Sequence, residues 1–240
     1  MNRFYSISSH PGKTGTHYYN GAFSRLGIDA TYHAIGTTDL TSAMHDLVSS
    51  QDVAGFSVSM PFKRSVIRHL DVPDRLVTRY NSCNTVVIRD GKLYGYNCDH
   101  AGAEHVLRLA GDYRSAAVLG NGAMGSMISA MIGPRCRVFS RSSGNWSARH
   151  ASADLIINAT AVGTANGDSP LDGINAGTVI DLAMKPGKLR SQCLESGVTY
   201  IPGLEFYKYQ FMRQFKHYTG MELDPLLFDE LSGNLNDATS

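Results

Sequence analysis

The chain has 240 residues, enough for one large domain or two modest ones. Its 22 lysines and arginines against 21 aspartates and glutamates leave a formal charge of +1, which offers no field for a nucleic-acid backbone or an anionic membrane. Hydrophobic residues at 42% and charged residues at 18% supply a sizeable core and exclude a disordered chain.

No stretch approaches the ~20 apolar residues of a membrane span. The opening Met1–Ile7 reads as a first strand and not as a signal peptide. Cys83, Cys98, Cys136 and Cys193 form no C-x-x-C, and the nine histidines form no H-E-x-x-H, so reduced cytoplasmic thiols and no metal site are expected.

In chain order, Phe4–Ser8 is a short strand pattern, and Gly15–Leu26 has helical spacing with Gly27 as its stop. Ala30–Ile35 is β-prone. Leu40–Val48 is helical, with Thr38-Asp39 as its cap. Val53–Val58 is a strand, and a helix-like run follows Met60-Pro61 to Leu70. Asn84–Ile88 and Leu93–Tyr96 flank Arg89-Asp90-Gly91-Lys92, whose Asp-Gly predicts a hairpin. A helix over Ala101–Ala110 leads away. A second pattern then begins with strands at Ala116–Leu119, Arg137–Ser140, Leu155–Asn158 and Val179–Asp181. Strand–helix alternation of this kind predicts a mainly parallel sheet. Pro225 marks a late helix start, and Asn234–Ser240 reads as a loose tail.

Gly120-Asn121-Gly122-Ala123-Met124-Gly125 follows an apolar strand and opens a helix, the context in which G-x-G-x-x-G cradles a dinucleotide. Gly122 would let the backbone meet a pyrophosphate at the helix N-terminus. The same string also serves a plain strand–turn–helix corner. About 20 residues on, an NAD site carries an acid for the ribose 2′-OH. Here the residues are Ser140-Arg141-Ser142, which repel nothing and can bond a 2′-phosphate, so NADP(H) is expected. A solvated loop arginine is the alternative for Arg141. Met124, Met127 and Met131 read as core filler.

In the first hundred residues, Lys63 lies just past a strand and Asp99 ends the hairpin. A lysine and a carboxylate can share proton transfer, although either alone reads as a surface charge. The strings Val58–Lys63, Asn84-Thr85, Gly95–Asp99, Asp154–Thr160 and Gly203-Leu204 with Gln210, in that order, resemble motifs of the shikimate dehydrogenase family. Val58-Ser59-Met60-Pro61-Phe62-Lys63 is similar to its V-[ST]-x-P-[FHY]-K, Asn84-Thr85 to its A-x-N-T, and Gly95-Tyr96-Asn97-Cys98-Asp99 to its G-x-N-T-D. Asp154–Thr160 is similar to D-L-I-I-N-A-T, and Gly203-Leu204 with Gln210 to G-x-x-M-[LF]-x-x-Q.

The resemblance implies an α/β enzyme with a small N-terminal substrate domain over residues 1–100, completed by helices returning over 205–240. A shortened Rossmann-like NADP-binding domain over 101–204 would face it across a cleft. The implied activity is reversible, NADP-dependent oxidation of shikimate to 3-dehydroshikimate in aromatic amino acid biosynthesis. The implied roles are Lys63 as acid/base, Asp99 as its orienter and hydroxyl partner, and Ser59, Asn84 and Gln210 as hydroxyl contacts. Thr14 and Thr16 stand for the carboxylate-binding S-x-S. Gly120–Gly125, Ser140, Arg141, Ser142, Thr160, Met184 and Gly203 would hold the cofactor. A monomer or homodimer is expected, with no nucleic acid or membrane as partner.

Three departures stand out. Only Ser142–Ala153 separates two strands where the family has a helix and a strand. Met184 stands where the family often has a substrate-facing Tyr, and Ser57 where Asn is usual. The Ala-Met-x-Pro string is closer to the shikimate 5-dehydrogenase-like branch. Quinate as substrate, or a ligand-sensing protein on the same scaffold, are the alternatives.

Overall fold

The computed structural model describes residues 1–163 and 168–237, with side chains described to Gly233. It divides into two compact units, Met1–Cys98 with Phe211–Ser240, and Asp99–Gln210.

The first unit opens with β1 (Asn2–Ser8), α1 (Thr14–Leu26), β2 (Ala30–Gly36), α2 (Leu40–Val48) and β3 (Val53–Val58). Helix α1 stops at Gly27, which takes the left-handed φ of 63° expected of a terminating glycine. Asp39 caps α2 by accepting from Ser42 N at 3.1 Å. After a 3-10 turn at Ser65–His69 come β4 (Val72–Pro73), α3 (Arg75–Tyr80), β5 (Thr85–Arg89) and β6 (Lys92–Tyr96). The β5–β6 turn has positive φ at both Asp90 (50°) and Gly91 (70°), the geometry that an Asp-Gly hairpin requires. The sheet order is β2-β1-β3-β5-β6-β4. β1 is parallel to β2 and β3, while β5 is antiparallel to β3 and β6.

Period-two alternation gives this sheet two different faces. One is aliphatic: Ile7, Phe56, Val58 and Val86 pack with Leu40, Met44 and Leu47 of α2. The other carries Phe4, Tyr32, Ser57 and Thr85 and meets aromatic rings, with Phe4 5.7 Å from Phe23 and 4.6 Å from Tyr218.

The second unit begins with α4 (Asp99–Leu109), β7 (Ala116–Leu119), α5 (Ala123–Ile132) and β8 (Cys136–Phe139). It continues through β9 (Leu155–Asn158), β10 (Thr178–Asp181), α6 (Lys188–Glu195) and β11 (Thr199–Pro202). All pairs are parallel, in the order β11-β10-β9-β7-β8. Counted from β8, this is the Rossmann order 3-2-1-4-5-6 without its strand 3. Between β8 and β9 there is only a 3-10 turn at Trp146–Ala148, which accounts for the short Ser142–Ala153 interval. Core packing joins Ala117, Leu119, Ile156 and Val179 of the strands to Leu189 and Cys193 of α6.

Helix α7 (Gly203–Thr219) ends the second unit at Gln210 and continues in the first from Phe211. α8 (Pro225–Asp237) follows. Phe211, Phe215 and Phe228 are fully buried. Phe211 lies 4.6 Å from Tyr19, and Phe228 stacks on Tyr18 at 4.5 Å. The C-terminal helices therefore complete the aromatic core begun by α1. Asn234–Asp237 is the last turn of α8 and not the loose tail that the sequence predicts, because Phe228 and Leu231 anchor the helix on that core. The rest of that expected tail lies outside the described residues. No helix among the described residues is long and apolar enough to cross a membrane.

Candidate active site

In the first unit the candidate residues gather where parallel strands end. Thr14 and Thr16 occupy the first turn of α1, whose N-terminus carries no acidic residue and offers unpaired N–H groups to an anion. Gly15 between them sits against Tyr32. A Cβ there would lie 3.1 Å from the ring, so glycine lets the first turn approach it. The Tyr32 hydroxyl donates to Ser57 Oγ at 2.7 Å, and Ser57 meets the Tyr218 hydroxyl at 2.8 Å. Burial pushes the Tyr32 hydroxyl up to about 12, against the lowering effect of its hydrogen bonds with Ser57 and Ser6, and raises Tyr218 well above its ordinary value. Both phenols therefore stay protonated.

Ser59 follows β3 and its N–H bonds Ile7 O at 2.9 Å. The Met60–Pro61 bond is cis, and a Phe62 N to Ser59 O bond of 2.8 Å closes the turn that leads to half-buried Lys63. Cys83 N donates to Lys63 O at 2.8 Å and Val58 N to Asn84 O at 2.9 Å. Lys63, Ser59 and Asn84 are thus stitched together through backbone. Asn84 is buried, and its Oδ1 accepts from Cys98 N at 2.9 Å and Thr85 Oγ1 at 2.8 Å. A backbone N–H can only donate, so the atom facing it must be the amide oxygen, and Nδ2 is the side presented elsewhere.

Asp99 and Gln210 belong to the second unit. Asp99 opens α4, where a carboxylate is favoured by the helix dipole, and it is buried. Gln210 lies in α7.

The glycine turn follows β7. Gly120 has φ of 101° and its N–H bonds Phe139 O at 2.8 Å. Gly122 caps α5 with open space where a side chain would be. Gly125 packs the helix against the turn. Ala123 and Met124 supply the first N–H groups of α5. Asn121 Nδ2 donates to Ser142 Oγ at 2.8 Å, bringing the turn to the β8 loop.

In that loop Ser140 is buried. Its hydroxyl donates to Ser143 Oγ at 2.8 Å and its N–H bonds Asn145 Oδ1 at 2.9 Å, so it shapes the loop while Arg141 and Ser142 face solvent. The Arg141 guanidinium lies 5.8 Å from the centre of the Trp146 ring and that of Arg149 4.9 Å from it. Arg149 is anchored through Nε to Pro170 O at 2.7 Å. Trp146 and Arg149 are not among the site residues expected from sequence. The available signal is the chain's lone tryptophan, five residues after one arginine and three before another.

Thr160 packs beside Gly120, and its hydroxyl donates to Asn158 Oδ1 at 2.7 Å. Asn158 Nδ2 in turn bonds buried Asp181 at 2.9 Å, and Asp181 also accepts from the Tyr200 hydroxyl at 3.1 Å. That hydroxyl is pushed well above its ordinary value by burial and then by Asp181. Met184 is exposed just past β10, and Gly203 opens α7. The turn, Thr160, Met184 and Gly203 thus share the carboxyl edge of the parallel sheet, where open α/β sheets bind ligands.

A family profile, the shikimate dehydrogenase substrate binding domain, matches residues 15–86. The shikimate dehydrogenase (NADP(+)) of Pyrococcus furiosus is 30% identical over 250 aligned positions, covering 92% of each chain. The chain belongs to the shikimate dehydrogenase family. The Pyrococcus abyssi enzyme of the same name is 28% identical, over 89% of this chain and 90% of its own. Among solved structures, shikimate 5-dehydrogenase from Thermus thermophilus, in complex with NADP(H) and shikimate, superposes with a TM-score of 0.84. It is 24% identical and covers 98% of this chain and 99% of its own. The ligand-free 5-ketofructose reductase of Gluconobacter sp. strain CHM43 has the same fold, with a TM-score of 0.78, 20% identity and 98% coverage of both chains.

Proposed function

We propose that this protein is an NADP-dependent shikimate dehydrogenase, interconverting shikimate and 3-dehydroshikimate. The observation that carries the reading is the likeness, over 92% of each chain, to a relative of that name, joined to the ordered residues Lys63, Asn84, Asp99 and Gln210. The reading has residues 1–100 and 205–240 holding the substrate and 101–204 the cofactor, in a cytoplasmic enzyme that is monomeric or homodimeric. Nucleic acid and membrane are not partners in it, in keeping with the +1 net charge.

The residues present suit a dinucleotide phosphate. Gly122 leaves open space at the start of α5, the first turn of that helix carries no acid, and Arg141 and Ser142 stand in reach of the turn through Asn121. A bound nicotinamide would supply the hydride acceptor. Lys63 takes the proton of the ring hydroxyl as it becomes a carbonyl, and returns it in the reverse direction. Asp99 accepts from the substrate hydroxyls, and Asn84 donates to one through Nδ2. Ser59 and Gln210 add neutral contacts. The hydroxyls of Thr14 and Thr16 and the N-terminus of α1 hold the carboxylate. A polyhydroxylated acid needs this mixture of one anion site and several neutral partners.

Steady-state assays crossing shikimate and quinate with NADP and NAD test the reading. The highest kcat/KM is expected for shikimate with NADP. Lys63→Ala should lower kcat by about 10²–10⁴-fold with an unchanged melting temperature. Exposed Met184, in place of a substrate-facing Tyr, favours quinate as the second substrate. Absence of NADP reduction with either acid would overturn the proposal.

A further inference from the structure

Gln214 lies on α7, is buried to 3% exposure, and bonds residues of the first unit through both ends of its amide. Its surroundings fix its orientation. Nε2 lies 2.9 Å from Asn84 O, an atom that can only accept, so Nε2 is correctly the donor and Oε1 faces the Tyr19 hydroxyl at 2.9 Å. The second hydrogen of Nε2 goes to Thr85 Oγ1 at 2.7 Å, while Ser57 Oγ at 3.3 Å is a weaker third contact.

Those bonds propagate. Once Thr85 Oγ1 accepts from Gln214, its own hydrogen points away, to Asn84 Oδ1 at 2.8 Å. The competing acceptor, Cys98 Sγ at 3.2 Å, is a weak one. Asn84 Oδ1 also receives Cys98 N, so both its lone pairs are engaged. The Asn84 carbonyl takes Val58 N as well as Gln214, which pins the backbone of the same residue. Asn84 and Thr85 are as dry as Gln214, where such chains are strongest and a missing member is most costly.

We infer that Gln214 is a positioning residue. Through Thr85 it locks the Asn84 amide with its oxygen inward, so that Nδ2 is held as the donor for a substrate hydroxyl. This rests on the reading of Asn84 as a substrate contact. No other orientation of the amide satisfies Cys98 N, and Gln214 supplies the donor that keeps Thr85 pointing the same way.

The test measures shikimate and NADP kinetics of the full-length wild type, Gln214→Met, Thr85→Val and the double variant. Methionine keeps the length and removes both donors; valine keeps the shape and breaks the relay at its middle. Each single variant should raise the shikimate KM about tenfold, the equivalent of one neutral hydrogen bond. The NADP KM should stay unchanged and kcat should change little, as for lost uniform binding. The double variant should be no worse than the weaker single, because both cut one relay. Unchanged shikimate KM values, or shikimate and NADP KM values rising together as the melting temperature falls, would overturn the inference. If Gln214→Met does not fold, Thr85→Val decides. A wild type that oxidises no shikimate overturns the functional reading and this inference with it, whereas an active wild type with indifferent variants overturns this inference alone.

Discussion

Gly125 abuts the carbonyl of Gly120: a Cβ on Gly125 would stand 2.1 Å from the Gly120 oxygen and 3.4 Å from a methyl of Val118. The obstacle is backbone, in a turn whose own φ of 101° leaves little freedom to retreat. Gly125→Ala must therefore push α5 away from β7. Overpacking of this kind costs about 1–3 kcal/mol or more, which for a chain of this size lowers the melting temperature by roughly 2–12 °C. The same displacement moves the N–H groups of Ala123 and Met124, so NADP affinity should fall further than stability. Thermal melts and cofactor titration of the variant check this, and an unchanged melting temperature would show that the turn yields.

His217 predicts part of the acid sensitivity. Its ring stacks on Tyr96 at 3.8 Å. Burial, then the charges of Arg213, Arg89 and Lys216, push its pKa down from 6.5 to about 4. The unfolded chain then binds a proton that the folded chain refuses. The resulting stability is complete above pH ~6.5 and is lost as pH falls through the window from ~6.5 to ~4. His217→Phe keeps a ring on Tyr96 and removes the titration. Between pH 7 and pH 5 the melting temperature of the variant should drop less than that of the wild type. Parallel curves for the two proteins would assign the acid sensitivity elsewhere.

Arg141 and Ser142 predict the cofactor preference. Both are exposed in the β8 loop, with no carboxylate at the position where an NAD site would need one. A charge-assisted contact to a 2′-phosphate is worth about 1.5–3 kcal/mol. Arg141→Ala should therefore reduce the ratio of kcat/KM for NADP over NAD by roughly ten- to a hundredfold, with the NAD value itself little changed. Equal losses with both cofactors would mean that Arg141 supports the loop and does not read the phosphate.

The elements legible in the sequence are those whose signal is local. Leu40–Val48, Val53–Val58, Ala116–Leu119 and Leu155–Asn158 have the bounds that apolar spacing, the Asp39 cap and short apolar runs predict. α3 and α6 are not among the expected elements, although Asp74 caps α3 as Asp39 caps α2, accepting from Val77 N at 2.7 Å. α3 is six residues long, and in α6 only Leu189 and Cys193 are buried, which leaves almost no apolar face to detect. β11 is a four-residue edge strand ending in proline. In the candidate site, the motif residues can be named because they sit in short strings at strand ends. Tyr32, Ser57 and Gln214 cannot be joined by reading, since their partners are 25, 157 and up to 195 positions away in the chain. Trp146 and Arg149 are hidden differently: they stand in the interval where a strand is missing, so no expected element points to them.

Trp146 is the only tryptophan, so its emission reports on one place. It lies against the core of the second unit, with the guanidinium groups of Arg141 and Arg149 5.8 and 4.9 Å from its ring centre. Arg149 is tied down by Pro170 O, whereas Arg141 is exposed and can swing. A 2′-phosphate that recruits Arg141 would draw a cation off the indole and change its emission. Titration with 2′,5′-ADP should therefore shift or quench the fluorescence with a saturable curve, and 5′-AMP should do so only at much higher concentration. The signal should persist in Lys63→Ala, which lies in the other unit, and should vanish in Arg141→Ala. A response identical for both nucleotides would show that the indole senses the adenine and that Arg141 has no part in selecting the phosphate.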